Sequence, residues 1–248
     1  MTSTWALMKL AAIQYKPPKG NVPQAHYELG LLIDEAAAKN VDFIVLPEMA
    51  TTGYIWDNAD SLRPHAEHTG GRTFQWLAQK AIQHTAWIVC GYAELDDDGR
   101  LFNSALVVNS VGELVCSYRK VMLFEADLTW AQPGKTRFVI PSKWGRIAPI
   151  ICMDLNDDQC IQFLKKQKIK LCAFCTHWVE EEMDVLWYWR HRLGSYNGFF
   201  VAANSWGQDN GTKFCGLSAI LGPKGKLLAQ APKEGNAVIV ADAPTLSV

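Results

Sequence analysis

A short apolar segment near the start of the chain ends in a charged residue: Asp42-Phe43-Ile44-Val45-Leu46-Pro47-Glu48. Four consecutive apolar side chains leave no polar face, which is typical of a strand covered on both sides in an α/β protein. A proline cannot continue such a strand, because it has no backbone N–H to give to the ladder. The segment therefore predicts a central strand that places Glu48 at the end of a buried sheet.

Segments with strand and helix patterns alternate on both sides of this strand. Apolar residues at helical spacing predict a first helix: Ala25, Leu29, Leu32, Ile33 and Ala36. We predict further strands at 7–14, 87–92, 105–109, 113–118, 147–151, 169–175, 199–203, 214–221, 226–229 and 237–241, and further helices near 74–82, 157–166 and 184–193. This alternation predicts an α/β fold. Because no linker or repeat interrupts it, we expect one domain, residues 1–248.

The composition excludes several classes of protein. Of 248 residues, 49% are hydrophobic and 20% are charged, as in ordinary globular domains. A net charge of −1 gives no electrostatic footprint for nucleic acid or an anionic membrane. No apolar run reaches the roughly 18 residues of a membrane span, and residues 1–18 lack the layout of a signal peptide. Seven cysteines, an odd number spread through apolar segments, favour a reducing, cytoplasmic location.

Three chemically reactive residues follow predicted strands: Glu48, Lys120 and Cys152. Each alone has an ordinary reading, as an exposed carboxylate, a surface lysine or a buried structural cysteine. Together they suggest a chemical centre, because a thiol with a pKa of about 8.5 needs a base and a carboxylate can serve as one. An ammonium beside both would offset the carboxylate charge and could hold an oxyanion. We expect these three groups to converge.

The segments that carry these residues resemble motifs of the nitrilase, or carbon–nitrogen hydrolase, superfamily. The matching segments are 46–54, 118–124 and 151–156, supported by 103–105, 132–134 and 197–204. The resemblance covers nearly the whole chain in the right order. It implies a four-layer α-β-β-α sandwich with a Glu48–Lys120–Cys152 triad that hydrolyses amides through a thioester on Cys152. It also implies an oxyanion contact from the Met153 backbone N–H, no metal or organic cofactor, and a homodimer.

Two segments point to one branch of that superfamily. Residues 152–156, Cys-Met-Asp-Leu-Asn, and residues 127–131 resemble the protein N-terminal amidases, which deamidate an N-terminal Asn or Gln. The resemblance thus implies a substrate with a terminal carboxamide, either a peptide N-terminus or a small-molecule amide. The alternative within the same enzyme class is a small-molecule ω-amidase or an N-carbamoyl hydrolase.

One departure from the superfamily pattern concerns the region after the lysine. Members usually carry a second glutamate there, and Leu128 occupies the equivalent position. Either Glu125 or Asp127 serves in its place, or the chain manages without it. The departure leaves open a protein of another class, a non-catalytic binding protein on the nitrilase scaffold.

The pocket rim should set substrate choice. Four aromatic side chains follow or flank the motif strands and could line the pocket: Tyr54, Trp130, His177 and Trp178. Alternatively, each of these side chains could simply pack in the core or at the surface, without contact with a substrate. Asp154 could receive a substrate ammonium, or it could instead cap the following helix or form a salt bridge.

Overall fold

The computed structural model describes the backbone of residues 5–246 and the burial of residues 7–244, so both ends of the expected domain at 1–248 lie outside it. In chain order the strands are β1 (Trp5–Gln14), β2 (Phe43–Val45), β3 (Trp87–Leu95), β4 (Leu101–Val108), β5 (Leu114–Arg119), β6 (Ile140–Ser142), β7 (Gly145–Ile151), β8 (Leu171–Thr176), β9 (Phe199–Asn204), β10 (Trp206–Asp209), β11 (Thr212–Cys215), β12 (Ala219–Gly222), β13 (Lys226–Gln230) and β14 (Ala237–Leu246). The helices are α1 (Val22–Ala37), α2 (Ala59–Leu62), α3 (Arg72–His84), α4 (Asp158–Lys166) and α5 (Val185–Leu193).

Two six-stranded sheets contain most of the strands. The first has the order β14-β1-β2-β3-β4-β5, and the second has the order β13-β12-β9-β8-β7-β6. In the first sheet β1, β2 and β3 run parallel, while β14 pairs antiparallel with β1 over ten residues. In the second sheet β7, β8 and β9 run parallel. Parallel strands present their carboxyl ends at one edge of a sheet, where open α/β sheets hold their ligands.

Burial divides the molecule into four layers, because alternate strand residues face opposite sides of each sheet. The inner faces of the two sheets pack on each other through residues such as Val45, Val107 and Val201. Helices α1 and α3 cover the outer face of the first sheet, and α4 and α5 cover the outer face of the second. This arrangement confirms the predicted four-layer α-β-β-α sandwich.

Local signals in the sequence explain where several helices begin. Asn21 accepts a hydrogen bond from the Gln24 backbone N–H at the start of α1. Asp157 and Asp184 cap α4 and α5 in the same way. Such side chains satisfy backbone N–H groups that have no partner inside the helix. None of the helices within residues 5–246 combines the length and the apolar character that a membrane span requires.

The predicted strand at 214–221 is wrong, because the structure divides it. Its first part belongs to β11, which pairs with β10 as a two-stranded ribbon, whereas its last part is β12 in the second sheet. Between them Gly216 and Leu217 have φ values of 62° and 55°. An extended chain cannot pass through two left-handed residues, so the strand breaks there. The short strands β6 and β10 were not predicted.

Candidate active site

The turn after β2 fixes the position of Glu48, which is fully buried. Gly91 on the neighbouring strand β3 binds both sides of this turn, since its N–H donates to Pro47 O at 3.0 Å and its carbonyl accepts from Ala50 N at 2.9 Å. A Cβ atom at Gly91 would lie 2.5 Å from the Cα of Glu48. Only glycine therefore allows β3 to approach the backbone of Glu48 this closely.

We expect Gly91→Ala to displace the Glu48 turn, because its new Cβ meets backbone atoms rather than a flexible side chain. The expected result is a loss of about 1–3 kcal/mol in the free energy of unfolding together with a large fall in activity. Thermal unfolding and turnover measure the two effects. Gly70→Ala is the control, since nothing lies within 4 Å of the added methyl group. A Gly91→Ala protein that matches the control in both assays would contradict this account.

Lys120 follows β5 and is completely buried. Its Nζ atom lies 2.7 Å from Glu48 Oε1, 2.6 Å from Asp127 Oδ2 and 3.4 Å from the hydroxyl of Tyr54. Burial alone lowers the pKa of a lysine, but the Asp127 and Glu48 carboxylates outweigh it and raise the pKa of Lys120 well above its ordinary value. Lys120 is therefore a permanent ammonium inside the protein.

Three N–H donors surround the Glu48 carboxylate. Lys120 and the side chain of Asn103 both donate to Oε1 at 2.7 Å, and the backbone N–H of His177 donates to Oε2 at 2.7 Å. Burial raises the pKa of Glu48 and the Asp127 charge adds to the rise, whereas Lys120 and Asn103 oppose it. A carboxylate with a raised pKa and a full set of donors can exchange a proton with a neighbour.

Cys152 lies at the end of β7 and begins a 3₁₀ turn that extends to Asn156. It is 7% exposed and has a φ of 41°, an uncommon value for a non-glycine residue. Burial raises the pKa of its thiol, Glu48 raises it further, and Lys120 lowers it. The three expected groups thus act on one another electrostatically within one buried region, and the thiol is protonated at rest.

Asp127 occupies the place of a second acid in this centre. It is fully buried in a 3₁₀ turn and accepts hydrogen bonds from Lys120, from Asn103 at 2.9 Å and from Phe124 N at 2.9 Å. Leu128, which occupies the position equivalent to the second glutamate of the superfamily, is 69% exposed, and Glu125 is exposed as well. Of the two acids that the sequence offered, the structure brings only Asp127 to Lys120.

Asp154 connects the segments that carry Lys120 and Cys152. One oxygen accepts hydrogen bonds from Val121 N at 3.0 Å and Met122 N at 2.9 Å, and the other from Ile151 N at 2.9 Å and the Tyr118 hydroxyl at 2.6 Å. These contacts tie the chain after β5 to the end of β7, so they set the spacing of Lys120 and Cys152. With four donors on a fully buried carboxylate, the geometry favours a structural role, one of the two alternatives for this residue, over contact with a substrate ammonium.

Tyr54 and His177 lie beside the buried charges. The Tyr54 ring centroid is 5.4 Å from that of His177, which also meets Phe214 edge-on at 4.9 Å. Burial lowers the pKa of His177 to about 3, so its imidazole is neutral. His177 also borders a cavity of about 200 Å³ whose wall includes Phe214, Trp206 and Lys19. Both residues remain candidates for contact with a substrate.

The two tryptophans differ. Trp130 is 5% exposed in an apolar cluster with Tyr54 and Met49, and its indole N–H has no partner among the described residues. Trp178 is half-buried between Phe174 and Trp189, with ring centroids at 6.2 and 5.9 Å. Trp130 thus keeps a free donor near the centre, whereas the contacts of Trp178 favour the packing alternative. Met153 directly follows Cys152 in the 3₁₀ turn, and its oxyanion role stays a prediction.

Solved structures share this fold. A crystal structure described as an N-terminal amidase with an Asn-Glu-Ala peptide matches with a TM-score of 0.87 and 16% sequence identity, covering 97% of this chain and 98% of that chain. At this level of identity, the match concerns the arrangement of the backbone.

Sequence comparison extends the likeness. The protein N-terminal amidase of Schizosaccharomyces pombe is 26% identical over 259 residues, which cover 86% of this chain and 91% of that protein. The 2-oxoglutaramate amidase of Bacillus subtilis is 26% identical over 228 residues, which cover 90% of this chain and 84% of that protein. The family model described as carbon-nitrogen hydrolase matches residues 9–246. With almost the full length matched, the chain belongs to the carbon–nitrogen hydrolase family.

Proposed function

We propose that this chain is an amidase that hydrolyses a terminal carboxamide through a thioester on Cys152 and releases ammonia. The observation that carries the proposal is the buried cluster of Glu48, Lys120 and Asp127, with the Cys152 thiol within its electrostatic reach. Two carboxylates and an ammonium are costly to bury in a core that needs them only for packing. Such perturbed groups beside a thiol support a role in catalysis.

The reaction has two halves. In the first, Glu48 takes the proton of Cys152 and the thiolate attacks the amide carbon, forming a tetrahedral oxyanion held by Lys120 and the Met153 backbone N–H. Glu48 then gives its proton to the leaving nitrogen, so that the C–N bond breaks and ammonia departs. In the second half, Glu48 takes a proton from water, whose oxygen attacks the thioester, and returns that proton to the departing Cys152 sulfur.

The position of Lys120 suits both halves of this reaction. Its ammonium lies 2.7 Å from Glu48 and stays charged throughout, so it can lower the energy of an anion without giving up its proton. Removing one donor from an oxyanion site typically costs about 10²–10³ in rate. Asp127, 2.6 Å from Nζ, holds the ammonium in place between the two carboxylates.

The preferred substrate is the N-terminal Asn or Gln of a peptide, with a small-molecule ω-amide or N-carbamoyl compound as the second candidate. The name of the S. pombe relative supports the first candidate, and that of the B. subtilis relative supports the second. The structure also gives weight to the second, because the four donors on Asp154 leave that carboxylate unavailable to a peptide ammonium. The alternative of a non-catalytic binding protein was based on Leu128 in place of the second glutamate. Asp127 contacts Lys120 instead, so that argument for the alternative no longer applies.

Ammonia release from a matched panel tests the proposal. We expect hydrolysis of peptides that begin with Asn or Gln, and at least a tenfold lower kcat/KM for N-acetylated copies, which lack the terminal ammonium. Free 2-oxoglutaramate and carbamoyl amino acids form the second arm of the panel. Activity confined to that arm would exclude the peptide substrate. Ammonia from neither arm would count against the amidase itself.

The homodimer, the cytoplasmic location and the single domain stay predictions. All seven cysteines are free thiols in the structure.

A further inference from the structure

Asn103 connects the two carboxylates of the centre. It lies near the start of β4 and is fully buried. Its Nδ2 atom donates to Glu48 Oε1 at 2.7 Å and to Asp127 Oδ1 at 2.9 Å. Lys120 donates to the same two carboxylates. The four side chains therefore form a closed ring in which the acids alternate with the donors.

The charges in this ring do not balance. Two carboxylates face one ammonium, so the buried group carries a surplus negative charge when both acids are ionised. Both N–H groups of the Asn103 amide donate hydrogen bonds to these negatively charged carboxylates. The opposite orientation of the amide would direct its carbonyl oxygen at two carboxylate oxygens, which is repulsive, so the assignment of nitrogen and oxygen is fixed.

The carbonyl oxygen of the Asn103 side chain indicates that the bonds from Nδ2 to the acids determine the position of this residue. Its Oδ1 atom is buried without a hydrogen-bond partner among the described residues. Burying an acceptor without a partner is unfavourable, so a residue selected only for packing would be apolar here. The two bonds from Nδ2 to the acids offset this cost.

We propose that Asn103 is a positioning residue, which holds Glu48 and Asp127 at a fixed separation on either side of Lys120 and keeps Glu48 ready to accept the proton of Cys152. The inference rests on the proposed amidase function, because it assigns Glu48 as the base. Asn103 itself touches the acids rather than the reacting atoms.

Loss of Asn103 should change the pH at which Glu48 becomes ionised. The groups that face Glu48 are Lys120, Asp127, Cys152, Cys175, Tyr54, the side chain of Asn103 and the backbone N–H of His177. Among them Asn103 is a neutral donor that favours the ionised form, so its removal raises the pKa of Glu48. The base then ionises at higher pH, and the acidic limb of the activity profile moves upward.

Two variants separate this role from simple packing. Asn103→Ala removes both hydrogen bonds, and we expect the acidic limb of kcat/KM to rise by about one to two pH units. Asn103→Asp keeps the shape but adds a third carboxylate, so we expect a shift in the same direction that is at least as large. Ser104→Ala is the control, because Ser104 is the next residue of β4, is equally buried and donates to another buried acid, Glu94, at 2.6 Å.

A second readout does not require turnover. The rate at which iodoacetamide alkylates Cys152, resolved from the other cysteines by mass spectrometry, should show the same upward shift in both Asn103 variants and none in Ser104→Ala. The inference would be overturned if every Asn103 variant that folds gave profiles that superimpose on the wild-type profiles; the isosteric Asn103→Asp provides this test even if Asn103→Ala does not fold. A wild-type protein that hydrolyses no amide would overturn the proposed function instead, while the alkylation profile still tests Asn103.

Discussion

Replacing Cys152 with alanine should abolish amide hydrolysis, with a loss of at least about 10⁴-fold in kcat. The physical reason is that the proposed thioester forms on Cys152 Sγ, and alanine has no nucleophilic atom to replace it. The fold should persist, because the change removes one atom at the end of β7 and leaves the Asp154 contacts intact. Ammonia release measures the rate, and mass spectrometry of the wild type mixed with substrate should detect an acyl adduct on Cys152.

Cys116→Ala is the matched control for this change. Cys116 is a half-buried thiol on β5 that packs against the inner core, so its loss should leave turnover near the wild-type rate. Wild-type ammonia release from Cys152→Ala would remove Cys152 as the nucleophile. An acyl adduct on another cysteine would do the same.

Replacing Lys120 with arginine should lower kcat/KM by at least about 10²-fold although the charge is kept. The guanidinium is planar and larger than an ammonium, and its fork cannot reproduce contacts of 2.6 and 2.7 Å to two acids inside a fully buried space. We expect a lower melting temperature as well, because an oversized group strains a packed core. Steady-state kinetics and thermal unfolding measure the two effects.

Lys39→Arg provides the control for the lysine change. Lys39 pairs with Glu35 on the surface at 2.9 Å, where an arginine fits as well as a lysine. Both activity and melting temperature should stay at the wild-type values. Lys120→Arg with wild-type kinetics would show that the ammonium does not contact the reacting atoms.

The residues at strand ends were predictable from the sequence, because a charge or thiol after an apolar run is a local signal. Glu48 and Cys152 were found in this way, whereas Lys120 follows Ser-Tyr-Arg and was singled out only together with them and through the family resemblance. The structure brings the three into one buried region. Most of the strands were predicted as well, because the apolar segments that form them are also a local signal. The break at Gly216 and Leu217 was missed, since a run of apolar residues does not report backbone dihedral angles.

The contacts that complete the site were not predictable, because they join distant parts of the chain. Asn103 lies 55 positions from Glu48, and nothing in its neighbours in sequence indicates which acids it would meet. The backbone N–H of His177 is a donor that any residue except proline could supply, so the sequence carries almost no signal for it. The choice between Asp127 and Leu128 depended on which face of one short turn points inward.

The ten-residue pairing of β1 with β14 has a consequence for synthesis. The strand β1 ends at Gln14 and β14 begins at Ala237, so β1 emerges from the ribosome well before its partner is synthesised. Until then the nascent sheet exposes the backbone N–H and carbonyl groups of β1, an edge that can pair with other chains. Such late, long-range pairing slows folding and prolongs that exposure. A chaperone that shields this edge would therefore act while the residues between β1 and β14 are being synthesised.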